Sequence, residues 1–357
     1  MATHFHKLRV ADVQPATCEA VTVSFDIPEE IKSDFCFLPG QHLTFRFLID
    51  NTEHRRSYSL NSNPFGTEAP SVTVKRVKKG IVSNFINDNL KPGDTVEATL
   101  PLGSFKAEIQ PDEYKTYFLI AAGSGITPIM SILRSALHQS KTNTINLFYG
   151  NKDQDSIIFE KELEKLRLNH LDRLKVCHTL SSPKVWSSWK QWEGKKGRID
   201  AKSLEAFINE HPPIAQSTEY FVCGPEAMNL CVRDTLLSLG VPSEQIKIEM
   251  FGHSDSNLDK TVTPVDNAEL EASLDGKTIK TEVKSGNTIL RSLLDSGADV
   301  PYSCESGVCG TCTATLVNGK TEMKSCFALT EEEIKNGAIL TCQAYPVSEK
   351  VKIDFDK

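Results

Sequence analysis

Cys304, Cys309 and Cys312 stand within nine positions of the segment PYSCESGVCGTC, spaced C-x4-C-x2-C. Thiols this close can hold a metal, close a disulfide or lie free, and each outcome has its own requirements. A closed zinc site draws on two separated ligand pairs, and the chain has a single C-x2-C pair. A disulfide framework belongs to short secreted chains. This chain has 357 residues, and Cys18, Cys36, Cys177, Cys223, Cys231 and Cys326 follow no framework spacing. The spacing C-x4-C-x2-C with one distant cysteine is instead that of a 2Fe–2S cluster, with a structural zinc or a set of free thiols the alternative. Cys342 in LTCQAYP, after 29 intervening residues, is the expected fourth ligand. Cys326 in MKSCFAL is its rival, read instead as a small apolar core thiol. Ser306, Gly307, Gly310 and Thr311 keep the loop small, as a backbone must be if it wraps inorganic sulfide and aims N–H groups at it.

A second set of residues suits phosphate. Gly123-Ser124-Gly125-Ile126-Thr127-Pro128 follows the apolar run TYFLIAA, with Pro128 where a G-x-G-x-x-G would carry its third glycine. Thr127 is expected to cap the following helix and Pro128 to open it, leaving backbone N–H groups to face a pyrophosphate. Tyr149-Gly150-Asn151 ends the next strand, and dinucleotides settle at the carboxyl edge of such sheets. Gly80-Ile81-Val82-Ser83, preceded by Val74, Lys75 and Arg76, reads as another helix N-terminus open to phosphate. A hairpin loop over Lys78-Lys79-Gly80 is the alternative.

The elements that must position these residues change character along the chain. Residues 5 to 110 alternate in short segments (VTVSFDI, QHLTFRFLI, SVTVKRV) between turns at Pro39-Gly40, Asn63-Pro64 and Pro92-Gly93, predicting an antiparallel barrel or sandwich. From about residue 115, strands NTINLFYG, LKVCHTL and YFVCGP alternate with helical patterns over Phe159–Leu168 and Glu226–Leu239, predicting a parallel, doubly wound sheet. Residues 252 to 266 lack apolar periodicity and read as a linker. Two short strands, a helix at Thr288–Ser296 and the cysteine loop follow. Thr330 with Glu333 reads as a capping box, and Glu331-Glu332-Glu333 as a solvated helix start. The expected domains are 1–110, 111–251, the linker 252–266, and 267–357.

Composition narrows the classes further. A net charge of −7, with both signs interspersed, leaves no footprint for nucleic acid. The N-terminus has no continuous apolar stretch, and no apolar run approaches the ~18 residues of a membrane span. A soluble, cytoplasmic protein is expected.

Taken in this order, the segments resemble a ferredoxin-NADP reductase fold followed by a plant-type ferredoxin domain, as in the reductase components of bacterial multicomponent oxygenases. The resemblance spans essentially the whole chain. It implies a multidomain protein: an antiparallel β-barrel flavin domain, an α/β parallel-sheet nicotinamide domain and an α+β (β-grasp) ferredoxin domain. Arg56-Ser57-Tyr58-Ser59 matches the family's R-x-Y-S, which implies Arg56 on the FAD pyrophosphate, Tyr58 against the isoalloxazine or ribityl region and Ser59 near flavin N5. Cys223-Gly224-Pro225 matches its C-G-P, with Cys223 beside the nicotinamide. Glu249 and Phe251 are implied close to the flavin, so Ser59, Cys223 and Glu249 are the expected catalytic residues. Val74, Lys75, Gly80, Val82 and Ser83 join the flavin site. Gly123, Gly125, Thr127, Pro128, Tyr149, Gly150 and Asn151 join the nicotinamide site. Cys304, Cys309, Cys312 and Cys342 hold the cluster.

NADPH is the expected nucleotide, with NADH the alternative, because HTLSSPK offers Ser181, Ser182 and Lys184 and no acid. A flavin takes hydride and releases electrons singly to a cluster, so the last acceptor is another protein. No E-x-x-H pair is present for an oxygenase centre in this chain. Domain order, with PGQHLTFRF, AAGSGITP, YGNKDQDSIIF and LTCQAYP, resembles the reductases of phenylacetyl-coenzyme A epoxygenase systems and implies a di-iron oxygenase partner in phenylacetate catabolism. Reductases of ring-hydroxylating, alkane or ketosteroid oxygenases are the alternative, and a non-catalytic redox sensor or electron carrier is a second one.

Overall fold

The computed structural model describes residues 4–184, 192–215, 217–251 and 262–356. They group into two compact units, one of residues 6–54 with 58–251, the other of the C-terminal residues together with 55–57 and the N-terminal residues up to Phe5. The expected linker falls, through residue 261, outside the described residues.

The first unit opens with β1 (His6–Thr17), β2 (Ala20–Asp26), β3 (His42–Ile49), β4 (Thr52–Ser59), β5 (Ser71–Lys75), α1 (Ile81–Asn89) and β6 (Thr95–Ala98). The strands pair in the order β4-β3-β6-β1-β2-β5, and a bridge from Leu60 to Val72 joins the two ends into a barrel. Closure removes the free edges that an open sheet would expose. Alternating residues such as Leu8, Val10, Val23, Phe25, Leu43 and Phe45 fill the interior.

The same unit continues with β7 (Lys115–Ala122), α2 (Ile126–Gln139), β8 (Thr144–Asn151), α3 (Glu160–Asn169), β9 (Leu174–Leu180), β10 (Lys195–Lys196), α4 (Ala201–Glu210), β11 (Ser217–Gly224), α5 (Glu226–Ser238) and β12 (Ile246–Met250). Its sheet runs β10-β9-β8-β7-β11-β12, all parallel. Phe118 and Ile120 of β7 face one apolar layer while Tyr117, Leu119 and Ala121 face the other. Burial on both faces is why these strands read as unbroken apolar runs. The chain moves outward from β7 in one direction and returns at β11 in the other, so the carboxyl ends of β7 and β11 flank the switch point where such sheets take ligands.

Three hydrogen bonds strap α2 to the segment that follows β4. Ser131 donates to Ser62 O (2.7 Å), Arg134 to Asn61 O (2.5 Å) and Ser135 to Asn63 Oδ1 (3.1 Å). The Arg134 guanidinium also forks onto Glu162 of α3 at 2.7 and 2.6 Å, a bidentate geometry that fixes orientation as well as adding energy. The helix that starts at the glycine loop is thereby tied to the strand that carries R-x-Y-S.

The second unit contains β13 (Ala268–Leu274), β14 (Lys277–Val283), α6 (Ile289–Asp295), β15 (Thr313–Asn318), β16 (Thr321–Met323), α7 (Glu331–Lys335), β17 (Ala338–Leu340), β18 (Ala344–Pro346) and β19 (Lys350–Asp354). A mixed five-stranded sheet, β14-β13-β19-β15-β17, grips α6, whose Ile289, Leu290 and Leu293 enter the core. This is the β-grasp arrangement. Thr330 and Glu333 form the expected capping box. Among the described residues, no helix is long and apolar enough to cross a membrane.

Candidate functional site

The cysteine loop runs from the end of α6 to β15. Glu305, Gly307 and Gly310 adopt positive φ (54°, 78° and 70°), and these turns fold the loop around its own thiols. A Cβ on Gly307 would stand 3.0 Å from the Ser325 carbonyl oxygen, so a side chain there would push the loop off its neighbour. Cys304 contacts both Cys309 and Cys342, and Cys342 contacts Cys312. The four thiols thus form a chain of pair contacts. Among the described residues, no three His, Cys, Asp or Glu side chains close on one point as a single-ion cage would.

N–H groups converge on the sulfurs: Ser306 donates to Cys304 Sγ (3.4 Å) and Gln343 Nε2 to Cys342 Sγ (3.8 Å). Bonds from Cys309 and Cys342 hold the Cys304 thiol far below its ordinary pKa, and the bond to Cys304 pushes Cys309 up. Two buried thiols, Cys312 and Cys342, and two partly buried ones, Cys304 and Cys309, with donors aimed at the group of sulfurs, fit an anionic cluster. Cys326 packs against the rim of the apolar core, as a small hydrophobe does.

In the first unit, β11 and β12 run in register with Cys223 opposite Glu249. Ser59, at the end of β4, donates to Glu249 Oε2 (3.4 Å), and His42 Nδ1 lies 4.0 Å from Glu249 Oε1. Burial raises the Glu249 carboxyl to about 8, with the Ser59 bond opposing, and raises the Cys223 thiol. Near pH 7 this carboxyl is therefore neutral and able to donate. His42 was not foreseen from the sequence, although it stands in the PGQH segment. Three side chains from three separate strands meet here, so only the fold brings Ser59, Cys223 and Glu249 together.

Tyr58 packs on the barrel core, its ring 6.0 Å from Phe45. Arg56 is half exposed and donates to the Arg55 carbonyl (2.6 Å). Ser57 lies in β4 between them, and Phe251 is exposed just after β12. Val74 and Val82 point into the barrel core, which leaves only their backbones for a ligand. Lys75 ends β5. Gly80 stands at the N-cap of α1 with no side-chain cap, and the Ser83 hydroxyl accepts from Val77 N (3.1 Å). An uncapped helix N-terminus suits a phosphate.

At the switch point one expectation is corrected. Gly123–Gly125 coils as a 3-10 turn straight into α2, so the N-cap is Gly125 rather than Thr127, and Pro128 sits deeper in the first turn. Pro128 is tolerated there because first-turn N–H groups have no intrahelical partner. Thr127 instead donates to Ser124 O (3.0 Å). A Cβ on Gly125 would overlap the Cys223 carbonyl oxygen, which is why the loop can lie against the C-G-P turn only as glycine. Tyr149 donates to Gly123 O (3.0 Å), holding the loop from below. The Asn151 amide is 8% exposed, and both its polar atoms lack a bonded partner, though it lies close enough to the Tyr149 hydroxyl to oppose the rise that burial causes there. An orphaned buried amide beside Gly150, at the carboxyl edge of β8, fits a dinucleotide.

At the segment expected to favour NADPH, the structure adds two carboxylates. HTLSSPK carries no acid, but the turn after β8 does, and Lys184 pairs with Asp155 (2.8 Å) and Asp153 (3.6 Å). Its charge is already matched.

Family models match three consecutive parts of the chain: an oxidoreductase FAD-binding domain over residues 7–107, an oxidoreductase NAD-binding domain over 119–234 and a 2Fe–2S iron–sulfur cluster binding domain over 272–347. The ferredoxin reductase component of 3-ketosteroid-9-alpha-monooxygenase from Rhodococcus rhodochrous is 36% identical, covering 98% of this chain and 96% of its own. A component of the 1,2-phenylacetyl-CoA epoxidase from Escherichia coli (strain K12) is 33% identical, covering 99% and 98%. The chain belongs to this family of oxygenase reductases. Phthalate dioxygenase reductase, at 24% identity and a TM-score of 0.63 over 98% of both chains, shares the fold. The reductase is thus an oxidoreductase with FAD-binding, NAD-binding and 2Fe–2S domains in one polypeptide, similar throughout to components that serve oxygenases.

Proposed function

We propose that this reductase carries electrons from NAD(P)H to the oxygenase of a phenylacetyl-CoA epoxidase system, with NADPH as the donor. The supporting observation is the end-to-end similarity to a component of that epoxidase, 33% identical over 99% of the chain. Bound FAD would accept a hydride and the cluster would take electrons one at a time, which converts a two-electron donor into a one-electron source.

The chain's own residues have separate tasks. Asn151 and the backbone of Gly123–Gly125 bind and orient the dinucleotide at the carboxyl ends of the parallel strands. Cys223, buried and protonated, lies on the nicotinamide side of the reacting centre, while Ser59 and Glu249 keep a neutral hydrogen-bonding pair on the flavin side. Arg56 and the α1 N-terminus hold flavin phosphates. Cys304, Cys309, Cys312 and Cys342 hold the cluster. The NADPH assignment rests on Ser181, Ser182 and Lys184, and the Asp153 and Asp155 carboxylates on Lys184 oppose it.

A second acceptor is favoured by a specific observation, the 36% identity to a ketosteroid monooxygenase reductase component. Reconstitution decides between them. The purified reductase is mixed with the oxygenase part of the epoxidase or with the ketosteroid oxygenase, and NADPH- or NADH-dependent product is measured. Product with the epoxidase alone, and a higher kcat/KM for NADPH, is expected. Product only with the ketosteroid oxygenase, or with neither, contradicts the substrate assignment.

A further inference from the structure

Asn229 lies in the first turn of α5, fully buried, one turn beyond the C-G-P segment. Its amide nitrogen donates to two backbone carbonyls at once, Gly224 O at 3.1 Å and Glu249 O at 2.9 Å. Gly224 closes β11 immediately after Cys223, and Glu249 is the residue paired with Cys223 across the ladder. Both neighbours are acceptors, so only a group with two hydrogens to give can serve both, and a primary amide has them. The amide's other end is left without a bond: Asn229 Oδ1 is buried and has no partner. An unsatisfied buried oxygen is costly, and α5 otherwise turns Met228, Val232 and Leu236 to the apolar layer. Packing alone would call for an aliphatic residue here.

We propose that Asn229 is a positioning residue for hydride transfer, a two-pronged clamp that fixes the Cys223–Gly224 turn against the strand bearing Glu249. The clamp ties together carbonyls from the last two rungs of the β11–β12 ladder, Cys223 opposite Glu249 and Gly224 opposite Met250, and so sets the separation of the thiol and the carboxyl that flank the reacting centre. It rests on the reading of this unit as an NAD(P)H-to-flavin reductase. Small displacements of a reacting geometry are expensive in rate, so the effect belongs in the transfer step and not in nucleotide affinity.

The test is anaerobic stopped-flow bleaching of the flavin in the holoenzyme at increasing NADPH, comparing wild type with Asn229→Leu, which keeps bulk but gives no hydrogen, and Asn229→Ala, which truncates the clamp. The expected result is a limiting rate lowered roughly tenfold to a hundredfold in both, with the NADPH dissociation constant within about threefold of wild type and FAD content unchanged. A wild-type limiting rate in either variant that retains FAD, or a loss confined to NADPH affinity, overturns the proposal. So does loss of FAD from both, which would make Asn229 a residue of folding. A wild type that neither NADPH nor NADH bleaches would overturn the reductase reading instead.

Discussion

Replacing Cys342 with alanine is expected to remove the 2Fe–2S cluster outright, with iron per chain falling to background and the cluster's EPR signal lost. NAD(P)H-driven bleaching of the flavin should persist, because that chemistry lies in residues 6–251. The same replacement at Cys326 should leave iron content and signal as in wild type. The contrast follows from geometry: Cys342 touches Cys304 and Cys312 and accepts from Gln343, whereas Cys326 packs at the rim of the core. With Cys304, Cys309, Cys312 and Cys342 as the proposed ligands, removing one leaves an iron undercoordinated, while shortening a partly buried thiol costs little. Iron retained in the Cys342 variant and lost in the Cys326 variant would reassign the fourth ligand.

Glu249→Gln should alter how the protein responds to pH. The folded carboxyl, 14% exposed, titrates at about 8 against an ordinary 4.5, with burial the main cause. Between those values the folded state holds a proton that the unfolded state has released. Stability contributed by the neutral form is therefore complete below about 4.5, and it is lost as pH rises through about 8. A shift of this size is worth on the order of a few kcal/mol. Glutamine has no proton to lose, so the wild-type melting temperature should fall relative to the variant by several degrees between pH 6 and pH 9.

The rate of flavin bleaching should follow the same group. With Ser59 and Glu249 at the flavin side of the reacting centre, as proposed, an ionised Glu249 above pH 8 would set a negative charge beside Ser59 and His42 and slow the transfer. The variant's rate should stay level over that range. Parallel pH profiles for the two proteins, in both melting and rate, would remove Glu249 from the reacting centre.

How far the sequence could be read depended on the range of the interaction. The apolar runs of β7, β8, β9 and β11 and the Thr330–Glu333 box are local signals, and each appears where expected. The start of α2 did not, because glycines at 123 and 125 allow a 3-10 turn that begins the helix before Thr127. α4 carries its own signal, the Asp200–Ser203 capping box, but serine in place of glutamate makes that signal weak. The cysteine spacing points to the cluster, while the choice between Cys326 and Cys342 rests on which loop returns to the thiols. Least legible were contacts between distant strands. Nothing local places Glu249 opposite Cys223, brings His42 to the same carboxyl, sets Asp153 and Asp155 on Lys184, or aims Asn229 at two carbonyls.

The central claim, a relay from nicotinamide through flavin to a cluster in one chain, is tested most directly by an anaerobic NADPH titration followed by visible absorption and low-temperature EPR. The account predicts bleaching of the flavin together with a rhombic signal from a reduced 2Fe–2S cluster. Flavin bleaching with a cluster domain that stays EPR-silent throughout the titration would contradict it.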